Sequence, residues 1–532
     1  MSASTSPRPA SETGWRPSHN PWLVTLVVTS AAFMEVLDTT IVNVALPHIA
    51  GSLSAGQDES TWTLTSYLVA NGIVLPISGW FMNIFGRKRY FTSCILLFTI
   101  SSLLCGLATS LPELIVFRVM QGFFGAGLQP CQQAILIDIF PPKDRGRAFS
   151  LVAIATVAAP AIGPTLGGWL TDTYDWRWIF LVNVPVGIVA WLLTMRLVED
   201  PPTARPAAER GMRPRIDLIG LGLISLGFGC LQVMLDKGEQ YDWLYSDFIK
   251  AFAVLSAIGL VGAVVWLMTR REPLVNLRVF RHRSFAVGNL LIFLLGATLY
   301  ASAVLIPMLA QSVLGYTATW AGLVLSPGAL VVILALPVVA AMMKYVAARP
   351  LIVTGFAVLA ASMLYSAQLT PTVDFQTLVL MRIAQTVGIA FLFAPISAAA
   401  TAPLGPTESN DGAALLTMSR NLGGSIGISV STTLLSNRTQ ERQAYLSENL
   451  SNFSQPYRDL VAERTQALIN LGHTAAEAQQ MAVGSIYQTL QQQAAVLAYI
   501  DVFRYCAVAA LIAMIASFLL RGGHVKLGAG AH

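Results

Sequence analysis

Charged residues are scarce in this sequence. Of its 532 residues, 11% are charged and 55% are hydrophobic, whereas an ordinary soluble domain carries about 25% charged residues. A chain with so few charges cannot cover a surface that faces water, which excludes a soluble globular protein. We therefore expect an integral membrane protein whose helices face the bilayer.

Motifs that carry enzyme or metal chemistry are also lacking. The five cysteines stand singly in apolar segments without a C-x-x-C motif, and the six histidines form no H-E-x-x-H, so neither a disulfide framework nor a metal site is indicated. No Walker A motif is present, so ATP is not the expected energy source. The basic residues lie mostly in short loops and not in a stripe with interleaved aromatics, which argues against nucleic acid. We expect no enzyme, no cofactor and no metal.

Long apolar runs are what the sequence does contain. Segments of about 20 apolar residues, enough to cross roughly 30 Å of hydrocarbon, recur about fourteen times. This pattern predicts an all-α integral membrane protein. The expected organisation is an N-terminal tail (1–20), a six-helix bundle (21–200), a basic linker with two inserted helices (201–270), a second six-helix bundle (271–520) that includes a long outer loop (437–500), and a C-terminal tail (521–532).

The short loops alternate in charge. Basic clusters such as Arg87, Lys88 and Arg89 occur in every second loop, while the loops between them are nearly free of lysine and arginine. Lysine and arginine accumulate on the cytoplasmic side of membrane proteins, so both termini are predicted to be cytoplasmic. The loop at 437–500 then lies outside, either as a helical cap over the outer mouth or as a docking surface for a partner.

Two carboxylates stand inside the first apolar run. Asp38 lies in the segment from Pro21 to Ile49, and Glu35 precedes it by one helical turn. An acid within a membrane span is costly, rare and usually functional. The pair predicts a site that binds and releases protons within the membrane.

The sequence also contains an internal repeat. An R-x-x-Q motif at 118–121 recurs at 382–385, and the two copies are followed by Pro130 and Pro395. Each copy follows an outer loop and opens an inward-running helix. Related halves with a site at their interface are typical of alternating-access transporters.

Several motifs together resemble the major facilitator superfamily, specifically the fourteen-span drug:proton antiporters of the EmrB/QacA type and most closely the EmrB subgroup. The matching segments are LDTTIVNVALP at 37–47, GWFMNIFGRKR at 79–89, RVMQG at 118–122, GPTLGG at 163–168, WRWIFLVNVP at 176–185, RNLGGSIG at 420–427 and YIDVF at 499–503. One departure is Asn83, where the superfamily usually has an aspartate. The resemblance implies a major facilitator fold of two six-helix bundles plus two inserted helices.

Asp38, Glu35 and Arg118 are the candidate proton-coupling residues. Desolvation makes a buried carboxylate exchange protons near neutral pH, and a nearby arginine opposes that effect, so Arg118 is expected to modulate the charge of Asp38. The alternatives are a permanently paired structural acid at Asp38, a clamp onto backbone carbonyls at Arg118, and a lipid or interhelix contact at Glu35.

Gating and substrate residues follow from the motifs and from polar or aromatic side chains on the central helices. Small residues allow close helix packing and proline removes a backbone hydrogen bond, so a leak-tight seam is expected in the fifth helix. The candidate gating residues are Gly79, Asn83, Gly86, Arg87, Lys88, Gly163, Pro164, Gly167 and Gly168. The candidate substrate-binding residues are Asn43, Tyr67, Asn71, Gln121, Gln129, Tyr300, Arg382, Gln385, Phe391 and Asn421.

The expected function is proton-driven export of lipophilic drugs from a bacterial inner membrane, powered by the proton-motive force. The resemblance to the EmrB subgroup also implies a periplasmic adaptor and an outer-membrane channel as partners. The alternatives are a proton-coupled importer or facilitator of a specific solute, and a lipid flippase or membrane enzyme.

Overall fold

The computed structural model describes residues 17–140, 142–201, 217–270, 273–343, 345–370, 373–404, 409–448, 450 and 454–520. This part of the chain is helical throughout and contains no β-strand. The predicted tails and most of the basic linker after residue 201 lie outside the described residues.

Fourteen long helices, numbered here in chain order, form the molecule. The first seven are α1 Pro21–Val44, α2 Trp62–Met82, α3 Arg87–Leu107, α4 Leu111–Ile139, α5 Pro142–Thr173, α6 Trp178–Leu197 and α7 Leu218–Lys237. The second seven are α8 Asp247–Thr269, α9 Arg283–Ser312, α10 Thr319–Met342, α11 Ala348–Ser366, α12 Phe375–Thr401, α13 Ser409–Ser447 and α14 Ala475–Ser517.

The predicted number of spans agrees with this set. In the described part of the chain, twelve of the helices are long and apolar enough to cross a membrane. The other two, α5 and α13, have 32 and 39 residues and pack within the bundles. Large apolar side chains such as Val261 and Leu334, which are 64% and 72% exposed, point outward as lipid-facing residues do. The chain is a multi-pass membrane protein.

The helices form two groups with an inserted pair between them. In the first half α1 packs on α5 and α6, and α4 packs on α2 and α3; in the second half α9 packs on α13, and α12 packs on α10 and α11. The inserted α7 and α8 pack on each other, and α7 also contacts α2 and α13, one helix from each half.

Prolines break the helices that carry the repeated motif. α4 is interrupted between Gly125 and Leu128, and α12 between Ala390 and Phe393. A proline cannot donate to the carbonyl four residues earlier. For Pro130 and Pro395 that carbonyl belongs to Ala126 and Phe391, the first residue of each interruption. The two prolines therefore account for the breaks in α4 and α12.

The long outer segment is mainly helical rather than an open loop. α13 continues to Ser447, a separate helix spans Gln455–Asn470, and α14 begins at Ala475. α14 begins with a capping box, in which Thr474 and Glu477 cap each other. With 43 residues, α14 is about 64 Å long, roughly twice the hydrocarbon thickness. Its first half therefore projects beyond the membrane, and the helix Gln455–Asn470 packs on it.

Candidate functional site

Asp38 lies at the centre of a buried polar cluster in the first half. Its side chain is fully buried on α1, and the side chain of Arg118 on α4 is fully buried beside it. Arg118 Nη1 donates to Asp38 Oδ2 at 2.6 Å. Two further amides, Gln121 Nε2 and Asn183 Nδ2, each donate to Asp38 Oδ1 at 2.9 Å. The carboxylate thus has one charged and two neutral donors.

The partners of Asp38 are themselves connected. Ser102 Oγ accepts from Gln121 Nε2 and from Asn183 Nδ2, both at 3.1 Å, and donates to the carbonyl of Phe180 at 2.9 Å. Gln121 Oε1 accepts from Arg118 Nη1 at 2.8 Å. Such a network fixes the carboxylate orientation, since each partner is held by a second bond.

Arg118 is anchored on three sides but keeps one free donor. Its Nε donates to the carbonyl of Thr63 at 3.0 Å, and its guanidinium lies 4.3 Å from the centre of the Tyr67 ring. The Nη2 atom is buried without a hydrogen-bond partner among the described residues. The expected alternative of a clamp onto backbone carbonyls is therefore combined with the Asp38 ion pair in one side chain.

Glu35 belongs to a second cluster that reaches the other half. Its Oε1 accepts from Tyr67 at 3.3 Å and from Asn71 at 3.2 Å, and its Oε2 accepts from Gln129 Nε2 at 2.6 Å. Gln129 Oε1 in turn accepts from Arg420 Nη2 at 2.6 Å. Glu35 is buried, with 3% of its surface exposed, which argues against the lipid-headgroup alternative.

Tyr67 connects the two clusters. Its hydroxyl donates to Glu35, while the face of its ring lies against the Arg118 guanidinium that holds Asp38. Tyr67 is therefore in direct contact with Glu35 and with Arg118, the ion-pair partner of Asp38.

The second half repeats the arginine cluster without its acid. Arg382 Nη1 donates to Ser302 Oγ at 3.0 Å and to Gln385 Oε1 at 3.5 Å, and Gln385 Nε2 donates to Ser366 Oγ at 3.1 Å. Each of these residues stands 264 positions (382 minus 118) after a counterpart in the first half. Ser302 corresponds to Asp38, Ser366 to Ser102, Arg382 to Arg118 and Gln385 to Gln121. Ser302 occupies the position of Asp38, and no carboxylate bonds to Arg382 among the described residues.

The candidate inner gate contains an ion pair across α3 and α4. Arg87 pairs with Asp138 and donates to the carbonyl of Ala134 at 3.1 Å. The backbone N–H of Lys88 donates to Asp200 at 2.8 Å. Burial raises the pKa of the Asp200 carboxyl, while the Lys88 N–H and the charge of Arg87 lower it.

Two other predicted gate residues are glycines, and a third is Asn83. Gly86 has φ of 83° at the turn before α3, a conformation that favours glycine. Gly79 has open space where a Cβ would point. The side chain of Asn83 lies outside the described part.

The predicted small-residue seam lies between α1 and α5. A Cβ on Gly163 would stand 2.2 Å from Thr40 Oγ1, and one on Gly167 would stand 2.7 Å from Ile41 Cγ1. Pro164 and Gly168 are buried in the same helix. Glycines at these positions allow α1 and α5 to come into backbone contact.

The halves contact each other at three levels along their helices. Near the outer end, Thr165 on α5 and Ser326 on α10 lie 3.3 Å apart at their hydroxyl oxygens. At the middle, Gln129 accepts from Arg420. Towards the inner end, Gln133 donates to Thr417 at 3.2 Å.

The predicted substrate residues do not form one group. Tyr67, Asn71 and Gln129 surround Glu35, whereas Gln121 belongs to the Asp38 cluster. Arg382 and Gln385 form the cluster of the second half. Tyr300 packs against Gly424, and Asn421 accepts from Arg420 at 3.5 Å.

Two of these residues point to the surface. Asn43 is exposed. Phe391 lines an open apolar groove with Leu334 and Val338, which are 72% and 55% exposed. Both positions fit a lipid- or water-facing role better than a central pocket.

Four residues of these clusters were not predicted from the sequence: Asn183, Ser102, Ser302 and Arg420. Asn183 and Arg420 stand inside quoted motifs, and Arg420 is a buried charge in an apolar segment. A charge within the membrane is costly. This cost singles out Asp38 and applies equally to Arg420. No sequence pattern marks Ser102 or Ser302 as a site residue. Adding the 264-residue spacing of the repeat to position 38 does, however, give Ser302.

The fold and the buried charge clusters define a helical membrane protein with two related six-helix halves. A family model described as the Major Facilitator Superfamily matches residues 28–428. The chain is 35% identical over 482 residues to the multidrug export protein EmrB of Escherichia coli K12, covering 90% of this chain and 91% of the relative.

Further relatives and a solved structure agree with this match. EmrB of Haemophilus influenzae is 38% identical over 81% of this chain and 84% of its own. The fatty acid resistance protein FarB of Neisseria gonorrhoeae is 32% identical over 90% and 92%. A bacterial homologue of the lysosomal transporter Spinster, solved in an inward-facing, unoccupied conformation, shares the fold with a TM-score of 0.55 at 16% identity, covering 94% of this chain and 97% of that one. The chain belongs to the Major Facilitator Superfamily and to its EmrB-type group.

Proposed function

We propose that this protein exports lipophilic drugs across the bacterial inner membrane in exchange for protons. The names of its relatives support a drug substrate, since EmrB proteins are multidrug exporters. The observation that carries the proton coupling is the fully buried ion pair of Asp38 with Arg118. A carboxylate in that position is costly to ionise, and the arginine offsets the cost.

The proposed cycle uses two states of this pair. With Asp38 ionised, Arg118, Gln121 and Asn183 hold the carboxylate and the inward-open form binds the drug. After the halves rearrange and the drug leaves outward, a proton from outside neutralises Asp38. The bond from Arg118 then weakens, because a neutral acceptor binds a cation less strongly. The carrier returns to the inward-open form, where Asp38 releases this proton to the cytoplasm and is ionised again.

The relationship to the EmrB group extends the proposal to a three-part pump. A periplasmic adaptor and an outer-membrane channel would continue the path, and the helical projection formed by the outer parts of α13 and α14 with Gln455–Asn470 would be the contact for the adaptor. Both termini would then be cytoplasmic.

Proton release from inside-out membrane vesicles tests the exchange. When a lipophilic drug is added to vesicles that hold an imposed pH gradient, the wild-type protein should release protons, and Asp38→Asn should not. Asp374→Asn is the matched control, because exposed Asp374 caps α12 and asparagine caps a helix about as well as aspartate.

The direction of the proton flux separates the rival functions. A proton-coupled importer would move drug and proton the same way, and a facilitator or flippase would release no protons on addition of drug. If Asp38→Asn vesicles lose their gradient as wild-type vesicles do, Asp38 is not the proton carrier.

A further inference from the structure

Two buried side chains of opposite charge face each other across the two halves through a single amide. Glu35 lies on α1 of the first half and Arg420 on α13 of the second half, with 3% and 2% of their surfaces exposed. Gln129 of α4 stands between them, with its amide N–H group on the carboxylate and its amide oxygen on the guanidinium.

The bridge is short at both ends. Each of its two hydrogen bonds measures 2.6 Å, and hydrogen bonds to an ionised partner are stronger than bonds between neutral groups. Arg420 Nε is buried and has no hydrogen-bond partner among the described residues. The other contacts of the guanidinium are Gln129, the hydroxyl of Tyr300, Asn421 at 3.5 Å and the ring of Phe393 at 5.6 Å.

Among the described residues, the Asp38 cluster has no such connection. The hydrogen-bond partners of Asp38 and Arg118 lie on α1, α2, α4 and α6, all within the first half. Loss of the charge on Asp38 is therefore felt first inside one half. A transporter whose halves must separate also needs a contact between the halves that responds to a proton.

We propose that Glu35, Gln129 and Arg420 form an inter-half latch that is closed while Glu35 is ionised and opens when Glu35 is protonated. The protonated acid holds the Gln129 amide more weakly, so the opposing charge of Arg420 is no longer balanced across the seam. Gln129 and Arg420 are positioning residues in this scheme. Its role in transport rests on the proposed function, but the contact can be measured without transport.

Several titratable or charged groups face Glu35 and enter any pH dependence. Tyr67 donates to Glu35 directly, and Arg420 acts on it through Gln129. The groups are Asp38 on α1, Tyr67 on α2, Arg118 on α4, Tyr300 on α9 and Arg420 on α13.

Disulfide or short-reagent crosslinking between α4 and α13 reports the latch. Gln133 and Thr417 hydrogen-bond across the halves at 3.2 Å and stand four and three residues from Gln129 and Arg420. Gln133→Cys with Thr417→Cys would be crosslinked in native membranes, and each single variant would measure the background from the five native cysteines.

Removing either charge should open this contact. Charge-assisted hydrogen bonds are each worth about 1.5 to 3 kcal/mol. Glu35→Gln or Arg420→Gln should therefore lower the ratio of crosslinked to uncrosslinked protein about tenfold or more. Because both act through one bridge, the double variant should lose no more than the worse single variant. Gln129→Glu places a carboxylate directly on Arg420 and should restore the yield in the Glu35→Gln background.

A buried arginine elsewhere in the same half provides the matched control. Arg382→Gln removes contacts to Ser302 and Gln385 inside the second half, so its effect on the yield should simply add to that of Glu35→Gln. Cysteines react as thiolates, so crosslinking slows in acid in every background. The wild-type yield should nevertheless fall more steeply with decreasing pH than the yield of Glu35→Gln.

Three results would overturn the latch: additive losses from Glu35→Gln and Arg420→Gln, unchanged yields in both, or no recovery with Gln129→Glu. These outcomes are independent of the proposed function, which fails instead if Asp38→Asn retains drug-dependent proton release. Intact crosslinking behaviour with no proton release in the wild-type protein would leave the latch standing and remove its role in proton-coupled transport.

Discussion

Asp38→Ser is the substitution for which the chain itself contains a template. In the second half, Ser302 occupies the position of Asp38 and accepts from Arg382 at 3.0 Å, while Gln385 and Ser366 repeat the contacts of Gln121 and Ser102. The variant would make the first half a copy of an arrangement that already folds. We expect a folded protein that has lost its coupling to protons.

The stability cost follows from the contacts that the variant keeps. Breaking a buried ion pair by removing one partner costs about 3 to 5 kcal/mol when the remaining charge is left without a partner. Here a serine hydroxyl can still accept from Arg118, and the amides of Gln121 and Asn183 each retain Ser102. We therefore expect a loss of about 2 to 3 kcal/mol, since the missing contribution is mainly the charge on the acceptor.

Two measurements check this expectation. Thermal unfolding of the purified protein should show a modest fall in midpoint, smaller than for Asp38→Asn, whose amide N–H group competes with the guanidinium for acceptors. In inside-out vesicles, drug-dependent proton release should be abolished while drug still equilibrates down its own gradient. Ser302→Ala, the matched change in the second half, should leave the number of protons released per drug unaltered.

The reasoning fails if Asp38→Ser releases protons on addition of drug as the wild-type protein does. It also fails if the variant does not fold, because then the two clusters are not equivalent environments for an arginine.

Two further predictions concern packing and the inner loop. Gly163→Ala should lower the unfolding midpoint and slow transport, because the new Cβ would stand 2.2 Å from Thr40 Oγ1 and overpacking costs about 1 to 3 kcal/mol; Gly72→Ala, which meets nothing within 4 Å, is the control. Asp200→Asn should raise stability near neutral pH and match the wild-type protein in acid. The reason is that burial raises the pKa of Asp200, so the wild-type protein loses stability as the pH rises from the unfolded pKa through the folded one. Thermal unfolding across pH 4 to 8 measures this difference, and a constant offset at every pH would contradict it.

The sequence predicted those features that depend on the cost of charge and backbone polarity within a membrane. Apolar run lengths predicted fourteen helices, and the rarity of buried acids singled out Asp38. Arg118 was predicted from the repeated R-x-x-Q motif. The structure places its guanidinium on the carboxylate.

Long-range side-chain contacts could not be predicted in this way. Glu35 meets Gln129 across 94 residues and Gln129 meets Arg420 across 291, and no local period encodes such pairs. Their depth in the membrane was readable, but their direction around the helix axis depends on how α1, α4 and α13 pack. A helical cap was one of the two expectations for the outer segment. The bounds of its helices were not predicted, because its polar composition contains no apolar run that marks where a helix leaves the bilayer.

The two halves share a scaffold but divide the work between them. In each half a buried arginine donates to a glutamine, and that glutamine donates to a serine at the equivalent position. Only in the first half does the arginine also bond to a carboxylate, whereas in the second half a serine takes that place. An arginine cannot give up its proton under physiological conditions, so the second cluster is fixed in charge while the first can change. If the charge that changes lies within one half, the other half can respond only through a contact that crosses the seam. Tyr67 lies against Arg118 and donates to Glu35, and Glu35 reaches Arg420 through Gln129. Through this chain of contacts, protonation of a carboxylate in the first half changes the forces on Arg420 in the second half.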